Sequence, residues 1–357
     1  MKKITLLISV LIFTLLAING CKKNDEEPKN ENNTVTPWEG VEGEIRTFNT
    51  FQNERLAFGG GHNQASVQTF TLHDEPRNVR NIKMYIKLHC PTGGCNAWDV
   101  FANIKVKDDA SGLYYEIGRF ITPYGVDNSA YPDGYEIDVT DFKSLLTGNA
   151  ELRAYIETWG TDGWEISVRF DYTLGKPDYQ YYSVNKLLNY DTNSLEGVPY
   201  GVMHGKDLTR TVTIPSNASS TSLRTIITGW GHTTPADPGS GRPCAEWCFR
   251  THKIKIDGGD KFNHEMGALG CSANPTSNQA GNWQPDRAGW CPGMAVPVRT
   301  DVFDNSKAGE TFNFEYFYQP WSSNGGSTSG TVGAYYATSC FVIVKSDEPI
   351  SKPTVVD

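Results

Sequence analysis

From Ile82 onward, apolar residues fall on every second position: Ile82, Met84, Ile86 and Leu88 alternate with Lys83, Tyr85 and Lys87. A period of two sends successive side chains to opposite faces, so this stretch predicts a half-buried strand. The same alternation runs through Val100, Ala102, Ile104 and Val106, through Leu152, Ala154 and Ile156, and through Ile166, Val168 and Phe170. It returns at Ile254 and Ile256, and again at Phe312, Phe314 and Tyr316. Gly, Pro, Asn and Asp fill the intervals, and only residues 141–146 have the makings of a short helix. Many short strands between such turns predict an all-β chain of antiparallel sandwiches. Gly175-Lys176-Pro177-Asp178 is the expected linker between an N-terminal domain over 38–177 and a C-terminal domain over 178–357.

The first residues follow a different rule. Lys2 and Lys3 precede an apolar run from Ile4 to Ile18, which ends at Asn19-Gly20-Cys21. This predicts a signal peptide over 1–20, the run being shorter than the roughly 20 residues of a membrane-crossing helix. Gly directly before Cys points to a bacterial lipoprotein site with Cys21 acylated, ordinary cleavage being the alternative. Residues 21–37 are almost without apolar side chains and predict a flexible tether. The expectation is an exported lipoprotein, held by Cys21 at the outer membrane or cell surface.

Composition narrows the picture. A net charge of −9 argues against nucleic acid as a partner. Of eight cysteines, Cys21 goes to lipid and seven remain, so one stays unpaired within the chain. Spacing favours Cys90–Cys95 and Cys244–Cys248 as short disulfide loops and Cys271–Cys291 as a third bridge. Cys340, in an alternating run, is expected as a buried strand thiol. A zinc site is the rival use of these cysteines, but their spacing is not that of structural zinc, and no metal is expected.

The usual hydrolase signatures are missing. No Gly-x-Ser-x-Gly occurs, His264-Glu265 is followed by Ala268 where a zincin needs His, and Gly59-Gly60-Gly61 lacks the residues of a phosphate loop and predicts a turn. Catalysis, if any, falls to carboxylates. Strand parity puts Arg153, Tyr155, Glu157 and Trp159 on the face opposite Leu152, Ala154 and Ile156, and sets Asp99 off the core face at the entry of its strand. A lone acid of this kind is most simply a solvated charge. Carboxylates and indoles in a β-sandwich suit carbohydrate, equally in an enzyme or a lectin.

A series of longer segments carries more. These are CPTGGCNAWD at 90–99, EIGRFITPY at 116–124, EIDVTDFKSLL at 136–146 and Glu157-Thr158-Trp159. They continue with EGVPYG at 196–201, GWGH at 229–232, CAEWCFRTH at 244–252, GALGCSANP at 267–275 and PDRAGWCPGMAVP at 285–297. In this order they resemble the peptide-N-glycosidase F family, from about Ile45 to the C-terminus. The resemblance implies two side-by-side eight-stranded antiparallel jelly rolls with the cleft at their interface, and the same three disulfides. It implies a monomeric amidase without cofactor that releases glycans from N-glycosylated proteins and glycopeptides. Its catalytic residues fall on Asp99, Glu157 and Glu246. Substrate-binding positions fall on Trp98, Ile121, Trp159, Ser194, Trp230, Gly231, Arg287 and Trp290, although Trp290 could equally pack on its neighbouring disulfide.

With no Ser, Cys or metal candidate, water is the expected nucleophile and Asp99 its base, with Glu246 as the proton donor. His232 is expected to support the site rather than catalyse. Two positions depart from the family pattern: Val100 stands where the best-known member has Arg, and Gly125 where the family has Trp. The rival readings are a lectin-like relative and a glycosidase cutting within the chitobiose core.

Overall fold

The computed structural model describes residues 40–191, 197–200, 206–321, 326–327 and 333–357. The expected signal segment, Cys21 and the tether over 21–37 lie outside them. The first half of the described chain supplies β1 (Ile45–Asn49), β2 (Glu54–Leu56), β3 (Ala65–Thr71), β4 (Val79–His89), β5 (Phe101–Asp108), β6 (Leu113–Ile121), β7 (Tyr135–Asp138), β8 (Asn149–Ile156) and β9 (Trp164–Leu174). One sheet runs β1-β9-β4-β7 with β2 beside β9, and the other runs β6-β5-β8-β3.

The second half supplies β10 (Tyr181–Tyr190), β11 (Val198–Pro199), β12 (Thr209–Thr213), β13 (Ser220–Trp230), β14 (Thr233–Thr234), β15 (Arg250–Ile256) and β16 (Gly259–Met266). It continues with β17 (Met294–Ala295), β18 (Arg299–Val302), β19 (Thr311–Phe317), β20 (Gly326–Ser327), β21 (Tyr335–Ser346) and β22 (Thr354–Val356). Its sheets run β10-β21-β13-β18, with β11 on β21, and β16-β15-β19-β12-β22, with β14-β20 as a separate ribbon. This is the all-β, two-sandwich class expected. One strand crosses between the halves: β17, far along the chain, pairs with β6 through Met294–Ile121 and Ala295–Phe120.

Alternation succeeds where one face meets water. In β9, Ile166, Val168 and Phe170 are buried while Glu165, Ser167 and Arg169 are partly exposed. It fails in β5, where Phe101, Asn103 and Lys105 are buried along with Ala102, Ile104 and Val106. The reason is a second layer. The odd-numbered face of β5 and the neighbouring face of β6 lie against β13 and β21, which are themselves buried almost throughout.

An apolar cluster joins the halves: Phe101, Ile121 and Tyr155 from one side meet Ile226, Trp230, Tyr335 and Ala337 from the other. Beside it, Arg119 Nε and Nη2 donate to the two carboxylate oxygens of Glu116 at 2.9 and 2.7 Å. Arg119 Nη1 crosses to Thr228 Oγ1 at 2.8 Å and to the Ala337 carbonyl at 2.7 Å, while Ser339 Oγ donates to Glu116 at 2.5 Å. Burial opposes the Glu116 charge, but Arg119 outweighs it and holds the carboxyl below its ordinary range.

The expected helix over 141–146 is only a single 3₁₀ turn, Thr140–Phe142. So short a segment does not offset the cost of helix nucleation. The chain instead closes turns onto Phe142 and reaches Gly148, which has positive φ, directly before β8.

Arg119→Ala strands the Glu116 charge in a dry interface. Urea unfolding is expected to show a loss of about 3–5 kcal/mol, and Arg119→Met combined with Glu116→Gln should lose much less.

Candidate active site

Asp99 lies between the Cys90–Cys95 disulfide loop and β5, and its neighbours are fastened on both sides. The buried Asn96 side chain accepts Trp98 N–H at 3.0 Å and donates to Asp162 at 2.7 Å. On the other flank, Val100 N–H donates to Thr122 Oγ1 at 2.8 Å, and that hydroxyl donates to the Trp98 carbonyl at 3.1 Å. The carboxylate is therefore held by backbone at residues 98 and 100. Its side chain is 11% exposed. Burial first, and the nearby charge of Glu246 second, push its pKa up to about 7, against the pull of Arg287 and the Tyr124 hydroxyl.

Glu157 follows β8, which runs antiparallel to β5, so the two acids emerge at the same end of adjacent strands. The Glu157 N–H donates to Phe101 O at 2.8 Å. Burial alone pushes its carboxyl up to about 8.

Glu246 comes from the second half, inside the Cys244–Cys248 loop. Its N–H donates to Gly231 O at 3.3 Å, and its carbonyl accepts Ala288 N–H at 2.8 Å. Gly229 makes this seating possible: a Cβ there would meet the Ala245 carbonyl oxygen at 2.3 Å.

Arg287 links the acids. Its Nη2 is 3.4 Å from Asp99 Oδ2, and its Nε is 3.5 Å from Glu246 Oε1. The guanidinium is fully buried, with its carbon 4.4 Å from the Trp247 ring and 5.2 Å from the Trp290 ring. Donation to Pro285 O at 2.9 Å and Asn282 O at 2.6 Å fixes its orientation. The preceding residue secures the loop: Asp286 Oδ1 accepts the N–H groups of Leu269, Gly270 and Cys271 at 3.0, 2.6 and 2.9 Å. Asp286 lies beside Cys271 and Cys291, but those sulfurs are bonded to each other and are not metal ligands.

His232 Nε2 accepts the Trp247 indole N–H at 2.6 Å and lies 3.3 Å from Glu246 Oε2. The Glu246 carboxylate raises the affinity of the ring for a proton. A proton on Nε2 would nevertheless face the indole N–H head on, so the shorter contact favours a neutral ring.

The remaining candidates divide by exposure. Trp98 is 68% and Trp159 61% exposed, at the rim. Ile121 and Trp290 are buried, and Trp290 stacks on Trp230 at 4.3 Å with its Nε1 donating to Gly229 O at 2.7 Å. These two shape the floor from beneath, which is the packing alternative considered for Trp290. Gly231 adjoins Glu246, and Ser194 lies outside the described residues. The three disulfides are those expected, and the unpaired Cys340 is buried, accepting the Thr225 hydroxyl at 3.2 Å. Sequence reasoning missed Tyr124 and Trp247. Both stand inside the quoted segments, but only folding sets the Tyr124 hydroxyl 3.1 Å from Arg287.

Two family models match the chain: Peptide-N-glycosidase F, N terminal, over residues 70–172, and Peptide-N-glycosidase F, C terminal, over residues 200–337. The chain is 49% identical to peptide-N(4)-(N-acetyl-beta-D-glucosaminyl)asparagine amidase F of Elizabethkingia miricola, over 99% of each. Among solved structures it is similar to PNGase F, a glycosylasparaginase from Flavobacterium meningosepticum. That match has TM-score 0.84 and 51% identity, covering 88% of this chain and all of the other. PNGF-II shares the fold at TM-score 0.66 and 16% identity, covering 86% of this chain and 66% of its own.

Burial of Glu157 has a measurable cost. Unfolding restores its ordinary pKa near 4.5, so the unfolded chain gives up a proton that the folded chain keeps. The penalty is absent below about pH 4.5, grows as pH rises and is complete above about 8. Glu157→Gln is expected to stabilise the protein by about 3–5 kcal/mol at pH 8.5 and by little at pH 4, read by chemical denaturation.

Proposed function

This chain belongs to the peptide-N-glycosidase F family, and on that premise we propose that it hydrolyses the amide between an Asn side chain and the first N-acetylglucosamine of an N-linked glycan. The observation that carries the reading is Arg287 bridging Asp99 and Glu246, with Glu157 emerging beside Asp99 at the same end of the paired strands β5 and β8. Water attacks the side-chain carbonyl carbon while Asp99, titrating near neutrality, takes its proton. The C–N bond of the tetrahedral intermediate then breaks. Asp remains on the peptide, and the sugar leaves as a glycosylamine once its nitrogen has gained a proton.

The donor role expected of Glu246 suits Glu157 better, because burial keeps its carboxyl protonated at pH 7. Glu246 acts on the base: its charge adds to the larger effect of burial in raising Asp99 to a value matched to the working pH. Arg287 and the Tyr124 hydroxyl oppose that rise and aim the carboxylate. The substrates are N-glycosylated proteins and glycopeptides, and the enzyme works as a monomer. The basic start, the apolar run to Ile18 and Gly20-Cys21 support export and lipid anchoring through Cys21, with display at the outer membrane or cell surface.

Mass spectrometry of a treated glycopeptide should show Asp at the former glycosylation site, with no product from Asp99→Asn. N-acetylglucosamine left on the peptide would overturn the reading in favour of a glycosidase.

The plot of kcat/KM against pH should rise through about 7 with Asp99 and fall above about 8 with Glu157. Glu246→Gln removes a like charge and moves the acid limb to lower pH. Tyr124→Phe removes a hydrogen bond to the ionised form and moves that limb to higher pH. Shifts in the opposite directions would refute these roles.

A further inference from the structure

Phe58 is 48% exposed, beside the 61% exposed Trp159, their ring centroids 5.3 Å apart and tilted by 60°. Exposed aromatic surface of this size brings no folding gain, and this pair is not loose. Phe58 N–H donates to Gly160 O at 2.8 Å, Arg55 Nη2 to Thr161 O at 2.7 Å, and Gln64 Nε2 to Thr158 O at 2.6 Å. The segment carrying Phe58 is thereby fastened along the whole of the segment carrying Trp159.

The turn after Phe58 is bare. Gly59, Gly60 and Gly61 have φ of +80°, +61° and +87°, a run that residues with side chains rarely adopt. A Cβ on Gly60 would come within 3.2 Å of Thr161 Cγ2, so the tip lies flat on the Trp159 segment. The result is a firm shelf of two aromatic rings bordered by backbone N–H and C=O groups. It is continuous with the cleft, since Trp159 is two residues from Glu157. Ring faces receive the C–H faces of sugars, and bare backbone receives their hydroxyls.

We infer that Phe58 and the Gly59–Gly61 tip form an outer subsite that takes a neutral hexose of the same glycan, beyond its two N-acetylglucosamine units. This rests on the amidase reading for its substrate, and it assigns to Phe58 a part in selecting glycans by length.

The test compares Phe58→Ala and Phe58→Tyr with the unsubstituted enzyme on two glycopeptides. One carries a hexose-rich glycan and the other only N,N′-diacetylchitobiose. Phe58→Ala should raise KM for the long glycan about three- to tenfold, with kcat within about twofold, and leave the chitobiose substrate unchanged. Phe58→Tyr should restore the wild-type KM. Equal rises on both substrates would show that Phe58 merely props Trp159, and no rise on either would remove the subsite; both outcomes overturn the inference. Tryptophan fluorescence titration with the two free oligosaccharides reads the same discrimination without turnover. If the unsubstituted enzyme cleaves neither glycopeptide, the amidase reading fails while the titration still decides the subsite.

Discussion

The Arg119–Glu116 pair is the interaction on which the rest of the molecule depends. It is wholly buried; Asn103 of β5 donates to Glu116, and the other hydrogen bonds of the pair cross from β6 to β13 and β21. An ion pair taken out of water gains little over an apolar contact of the same volume, but a half-satisfied one is very costly. The two sandwiches therefore have one relative placement in which Thr228, Ala337 and Ser339 all meet their partners. The apolar cluster around Phe101 and Trp230 supplies adhesion and tolerates some sliding. The polar crossing sets the register.

That register is what the site requires. Asp99 and Glu157 project from the first half, and Glu246 and Arg287 from the second. A buried arginine within 3.5 Å of both Asp99 and Glu246 leaves little room for displacement. Each contributor is also pinned locally: Asp99 by Asn96 and Thr122, Glu246 by its disulfide loop, and Arg287 by the Asp286 carboxylate beneath it. Such rigidity lets the protein hold carboxyl groups at pKa values near 7 and 8 at the expense of stability.

The parts legible in the sequence were those facing water on one side. β4 and β9 betrayed themselves by alternation, and the closely spaced cysteines by the size of their loops. β13 and β21 are packed on both faces, so Thr225, Thr228 and Ser339 are buried like their apolar neighbours and the period of two disappears. Asp99 was visible only as an acid on the off-core side of a strand. That side turned out to face the second sandwich, a fact absent from the 99–106 stretch. Family resemblance brought the three acids together; it could not supply the Tyr124 hydroxyl, the Trp247 indole or the burial that separates Glu157 from its neighbours.

β17 gives the order of events a direction. The C-terminal end of the free edge of β6, at Phe120 and Ile121, is covered by Met294 and Ala295, more than 170 residues further along the chain. At ordinary synthesis speeds the edge waits on the order of ten seconds or longer for its partner strand. The early half, however well formed its own sandwich, is unfinished during that interval and carries an open sheet edge of the kind that recruits stray strands. The loop that delivers β17 is the one that carries Arg287, so closing that edge and arming the cleft are a single event. A chain halted just before that point holds all three acids and lacks the arginine that organises them.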